Sequence, residues 1–150
     1  MFRRRFILAV ATVLSLAACS GEKVTGLDRM IYNATYSGQG TIQRSPNGFA
    51  AGAVQPANVT MTLSQLGQDF TGTWSVALTS GQYTYSGDIT GRVTSAGADF
   101  TLVQSPCAGT LYGSYTVAED ELTGSAVGRD CDAGATGNNV RITFTNLVRH

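Results

Sequence analysis

Enzyme chemistry needs a nucleophile with a base beside it, two carboxylates in different environments, or a cluster of metal ligands. The chain has one histidine, His150, at its end, and chain ends fray, which makes them poor places to orient an imidazole. No serine or cysteine has a base beside it in a readable pattern. The carboxylates fare no better. Asp88 alternates with Ile89 and so faces the opposite way, and Glu119-Asp120-Glu121 reads as a solvated turn. Asp130 and Asp132 flank Cys131 with Asn138 nearby, oxygen donors that a loop could offer to calcium. They lack EF-hand spacing, and solubilising charge is the simpler account. The sequence therefore predicts no enzyme, no cofactor and no metal.

The three cysteines have to be read in the light of where the chain goes. Residues 1–18 have the parts of an export leader: the basic start Arg3-Arg4-Arg5, an apolar run from Phe6 to Ala18, and small residues before Cys19. That run is too short for a bilayer core, which takes about 20 residues. Leu16-Ala17-Ala18-Cys19 resembles the lipobox of bacterial lipoproteins. The resemblance implies cleavage before Cys19, acylation of Cys19 and, with Ser20 rather than Asp following, delivery to the outer membrane of a Gram-negative cell, facing the periplasm. Each buried acyl methylene contributes about 0.8 kcal/mol, so more than one chain makes the membrane attachment effectively permanent. Residues 19–29 then read as a lipidated tether and 30–150 as one domain. Removing Arg3, Arg4 and Arg5 turns a neutral chain into one with net charge about −3, a surface that offers nothing to nucleic acid.

From Met30 onward no apolar period of a helix is visible, while apolar and hydroxyl residues alternate repeatedly. Glycine is 18 of 150 residues and charged residues are only 13%, a β-type composition. Strands are predicted near Ile31–Gln43, then over Val59–Ser64, Phe70–Leu78, Gln82–Val93, Ala98–Gln104, Thr110–Val117, Glu121–Gly128 and Asn139–Leu147. Turn residues part them at Gly67-Gln68-Asp69, Ser80-Gly81, Ser95-Ala96-Gly97 and Glu119-Asp120. Only Arg44–Asn58, with Pro46, Asn47, Gly48 and Pro56, is a long connection.

A short motif recurs: Thr71-Gly72-Thr73-Trp74, Ser86-Gly87-Asp88-Ile89, Thr90-Gly91-Arg92-Val93, Tyr112-Gly113-Ser114-Tyr115 and Thr123-Gly124-Ser125-Ala126. Each copy puts glycine on the face of the following apolar residue, where missing bulk lets strands bend. Eight hairpin-linked strands close most economically into an antiparallel up-and-down β-barrel, which leaves no edge; an open sandwich is the alternative. In such a meander alternate loops share an end. Cys107 and Cys131, in the loops after strands five and seven, therefore meet, and an exported chain should bridge them. The Arg44–Asn58 loop and the Ser80-Gly81 turn share that end, the mouth. The chain enters strand one from the other end, so the mouth points away from the anchor.

In architecture the domain resembles the small eight-stranded barrels of the lipocalin-like and avidin-like kind. Thr71-Gly72-Thr73-Trp74 is similar to their Gly-x-Trp signature, although it lies on the third strand rather than the first, and the single Trp does not match an avidin-like biotin site. The inward set is Tyr36, Phe70, Trp74, Tyr83, Tyr85, Ile89, Phe100, Leu102, Tyr115 and Phe144, interleaved with Gly72, Gly87, Gly91, Gly113 and Gly124. A barrel of this size either fills with its own side chains or holds one small guest. Two roles follow. One is a carrier binding a small hydrophobic ligand among Tyr36, Phe70, Trp74, Tyr83, Tyr85, Phe100, Tyr115 and Phe144. The other is a module that binds an envelope protein, as inhibitor, accessory or structural partner, through the mouth loops.

Overall fold

A computed structural model of the chain describes residues 34–45, 49, 52–81, 83–131 and 138–150. The leader, Cys19, the tether, the start of the first predicted strand, Pro46-Asn47-Gly48, Gln82 and Asp132 lie outside the described residues. Eight strands follow in order: β1 (Ala34–Ser45), β2 (Val54–Leu66), β3 (Asp69–Leu78), β4 (Thr84–Thr94), β5 (Gly97–Gln104), β6 (Thr110–Ala118), β7 (Glu121–Arg129) and β8 (Asn139–Arg149). Each pairs antiparallel with its neighbours, and β1 pairs with β8 to close the barrel.

Alternation decides the walls. On β2, Ala57, Val59, Met61 and Leu63 are buried, while Asn58 and Thr62 between them, and Ser64 after them, are exposed. The apolar face is thus inside and the polar face outside, the reverse of a membrane-spanning barrel, whose outward band is apolar.

β1 runs on through Arg44 to Ser45, into the stretch read as loop, and β4 starts at Thr84 rather than Gln82; two further departures from the sequence-based expectation have a local reason. First, β2 begins at Val54 and takes in Pro56, which the sequence reading gave to the long loop. In an antiparallel strand a residue's N–H and C=O point the same way. The Pro56 carbonyl accepts from the Thr79 N–H, in the turn beyond β3. The missing N–H therefore faces a side where the ladder has ended, and proline breaks no strand bond there. Second, β8 carries an irregularity against both neighbours, near Gly40 and Gly124. Asn146 sits there with φ 53°, a left-handed conformation that Asn tolerates. Its N–H donates to Thr123 Oγ1 at 3.1 Å. The extra residue switches the inward parity, so that Leu147 rather than Asn146 follows Phe144 into the core.

Gly72 shows how closely the strands approach. A β-carbon there would strike the Thr62 carbonyl on β2, so only glycine allows the sheet to coil at that point.

Candidate functional site

Register places every inward glycine beside bulk. Phe70 on β3 faces Gly91 on β4, Gly91 faces Phe100 on β5, and Phe100 faces Gly113 on β6. Further round, Tyr115 and Phe144 both face Gly124, and Phe144 faces Gly40. The rings lean onto the glycines: a β-carbon on Gly91 would meet the Phe70 ring, and one on Gly113 would lie 2.6 Å from Phe100 Cζ. The room that glycine leaves on one strand is thus taken by an aromatic from the next. Phe70, Tyr115, Phe100 and Phe144 form a linked cluster, with ring centroids 5.6 to 6.4 Å apart. Trp74 reaches over Gly87, and its indole N–H donates to the Val103 carbonyl on β5 at 3.4 Å.

Tyr36, Phe70, Trp74, Tyr85, Ile89, Phe100, Leu102, Tyr115 and Phe144 all lie buried inside. Tyr83 does not: it is 58% exposed. It has the parity of Tyr85, but β4 starts at Thr84, so Tyr83 has left the wall that would have aimed it inward.

The phenols of Tyr36 and Tyr115 are buried with no hydrogen-bond partner among the described residues. Burial raises both above the ordinary tyrosine range, and both stay neutral at physiological pH. At Tyr36 the nearby Arg149 opposes that rise and Asp120 adds to it. At Tyr115 the neighbouring Tyr36 adds to the effect of burial.

At the other end the β1–β2, β3–β4, β5–β6 and β7–β8 connections share the mouth. Cys107 and Cys131 are bridged there, with Cα atoms 5.7 Å apart. Beside the bridge lies an ion pair absent from the sequence reading. Arg44, on the inward parity of β1, donates from Nε to Asp130 Oδ2 at 2.7 Å, with its Nη2 at 2.6 Å from the same oxygen. Asp130 Oδ1 accepts the Asn138 N–H at 2.9 Å, and the Asp130 N–H donates to the Asn138 carbonyl at 3.0 Å. The Asp130 side chain is 1% exposed. Both of its oxygens are committed within the protein, which corrects the reading of Asp130 as solubilising loop charge and takes it from a calcium set. Among the described residues no three His, Cys, Asp or Glu side chains form a metal-sized group.

Above the Arg44 pair opens a cleft of about 170 Å³ lined by Arg44, Ala53, Gln55, Leu78, Tyr83 and Tyr85. The Arg44 guanidinium stands 5.5 Å from the Tyr85 ring centroid, within cation–π range. The cleft is the size of one ring and has an apolar side, two tyrosines and a fixed cation. Such an arrangement can hold a group in place.

His150 is tied down rather than frayed. Its N–H donates to the Thr35 carbonyl at 2.8 Å, and its Nε2 lies 2.7 Å from Ser37 Oγ. The hydroxyl and imidazole meet on the exposed outer wall.

The chain matches no protein-family model, no curated protein and no solved structure.

Proposed function

We propose that this protein is a lipid-anchored lipoprotein of the cell envelope whose barrel is a non-catalytic binding module working through its mouth, rather than a carrier with a guest inside. The observation that supports this reading is the interleaving of glycines and rings. Phe70 and Phe100 take the room beside Gly91 and Gly113, while the cleft over Arg44, Tyr83 and Tyr85 stays open. On this reading the barrel serves as a rigid platform for loops, as in many binding folds.

The anchor side of the reading rests on the leader and lipobox. Replacing Cys19 with Ala should abolish palmitate incorporation and move the protein from the membrane to the soluble fraction; continued membrane attachment would overturn it. The binding side is tested by a photo-crosslinking residue at Tyr83, compared with one at Leu66 in the β2–β3 turn at the opposite end. Discrete adducts in intact envelopes are expected from position 83 only. In parallel, Trp74 emission of the 20–150 chain should show no saturable change with fatty acids or aromatic amphiphiles. A saturable change would return the interior carrier to first place.

A further inference from the structure

The outer wall of a barrel facing water has no packing reason to carry large apolar side chains, yet β5, β6 and β7 each present one. Val103, Tyr112 and Val127 are exposed, the tyrosine at 65%. Register gathers them into one patch. Tyr112 pairs with Val127 across β6 and β7, and Val103, opposite Thr110, lies on the diagonal from Tyr112. Across the next strand boundary Val127 pairs with Arg141, and Arg129 sits diagonal to Arg141 on the same face. Phe49 covers the Arg141 guanidinium, its ring centroid 4.2 Å away.

These two arginines are unlike the other cations near the sheet ends. Arg44 is held by Asp130, and Arg92 is 3.9 Å from Asp69. Neither Arg129 nor Arg141 has an acidic partner among the described residues. Glu119, Asp120 and Glu121 lie in and beside the β6–β7 turn at the far end. Asp88, on the same lateral row as Arg129, is three strands away through Val103 and Thr110, about 14 Å at the usual strand spacing; Asp99 lines a depression with Arg92 and Tyr112 on the side of the patch away from the two arginines, three strands from β8.

We propose that the strip formed by Tyr112, Val127, Arg141, Arg129 and Val103 is a docking surface for an acidic protein partner. The partner's carboxylates engage the two arginines, and its apolar side chains cover the tyrosine and valines. This rests on the binding-module reading and names the chemistry of its partner. Exposed Tyr and Arg at the centre of a patch are what protein hot spots are made of. A lipid surface fits less well. Attraction to anionic lipid is worth about 1 kcal/mol per cation, and basic patches that use it hold roughly four to eight of them; this strip has two, on a barrel whose other end is acidic.

The test uses the 20–150 chain, which contains the whole closed barrel, and a labelled short peptide of alternating Glu and Leu, with the Lys and Leu analogue as control. Fluorescence anisotropy should show binding of the acidic peptide that weakens with added salt. It should weaken by about tenfold or more in the Arg129→Glu, Arg141→Glu double variant and in Tyr112→Ala, and stay unchanged in Leu66→Ser in the β2–β3 turn. All these positions are exposed, and an unchanged melting temperature verifies the fold. Equal binding of the basic analogue, insensitivity to the two arginines, no binding, or preferential binding to phosphatidylglycerol vesicles each overturns the proposal. If it fails while position 83 still gives adducts, the mouth reading stands and only the strip is lost; if both fail, the binding module itself is wrong.

Discussion

The two ends of the barrel are closed by different chemistry. At the tight-turn end the turns are short, and apolar side chains seal the lumen: Ala34, Leu63, Ala98, Leu122 and Leu147 are all buried. The polar groups enclosed there, the Tyr36 and Tyr115 hydroxyls, are neutral and have no partner among the described residues. At the mouth the connections are longer, and cohesion comes from point links: the Cys107–Cys131 bridge, the Arg44–Asp130 pair and the Asn138 turn. The lesson is that an end built of longer loops cannot rely on burial, because loops carry backbone that must stay wet. A few strong links there do what a continuous apolar seal does at the other end.

Removing the links one at a time should break this contrast. The largest effect belongs to the disulfide. It closes a loop with a sequence separation of 24, worth about 3.5 kcal/mol in the chain-entropy estimate. Reduction, or replacement of both cysteines by Ser, should lower denaturant-measured stability by that order. An unchanged unfolding midpoint would show that the mouth is held elsewhere. Next comes Asp130→Ala, which removes the carboxylate that Arg44 and the Asn138 N–H share, at a cost of about 3 kcal/mol. If thermal unfolding shows less than a third of that, the pair is not a structural link.

The tight-turn end should reveal itself through pH instead. Tyr36 and Tyr115 hold their protons more tightly folded than unfolded. The unfolded chain thus binds fewer protons above its own tyrosine range, and stability falls as pH rises. Stability is fully present below about pH 10, the ordinary tyrosine value, and is lost progressively above it. Absorbance at 295 nm should show a late tyrosinate class appearing together with unfolding, and Tyr115→Phe should flatten the alkaline loss. Early, fully reversible ionisation of every tyrosine would contradict a sealed end. The smallest effect is at Glu119, a non-glycine residue with φ 56° in the β6–β7 turn. Glu119→Gly should relieve that conformation and change stability by no more than about 1 kcal/mol in its favour, after the entropy that glycine adds to the unfolded chain. A loss in calorimetry would mean that the Glu119 side chain does more than turn.

Much of this was legible in the sequence because a barrel repeats one local rule. Alternation such as Val59-Thr60-Met61-Thr62-Leu63 sets which face is buried, two-residue turns fix the order, and loop parity brings Cys107 to Cys131. The Arg44–Asp130 pair was not legible: the residues are 86 positions apart and meet only once β1 closes against β8. The bulge left a trace in the three-residue step from Phe144 to Leu147, which breaks the two-residue rhythm with an Asn in between. The glycine row showed where bulk was missing. Which ring fills the space depends on register, and that is a property of pairs of strands.

The β1–β8 seam carries a consequence for how the chain is made. Ser37 and His150, in contact across it, are 113 positions apart, whereas the other ladders join consecutive strands. Ordering that much chain is costly before any contact repays it, so the seam closes last. Until then β1 and β8 present two bare edges, each able to pair with another copy of the chain. Dilution, or a holding factor that shields these edges, would therefore govern the yield of folded protein more than the strength of the finished core.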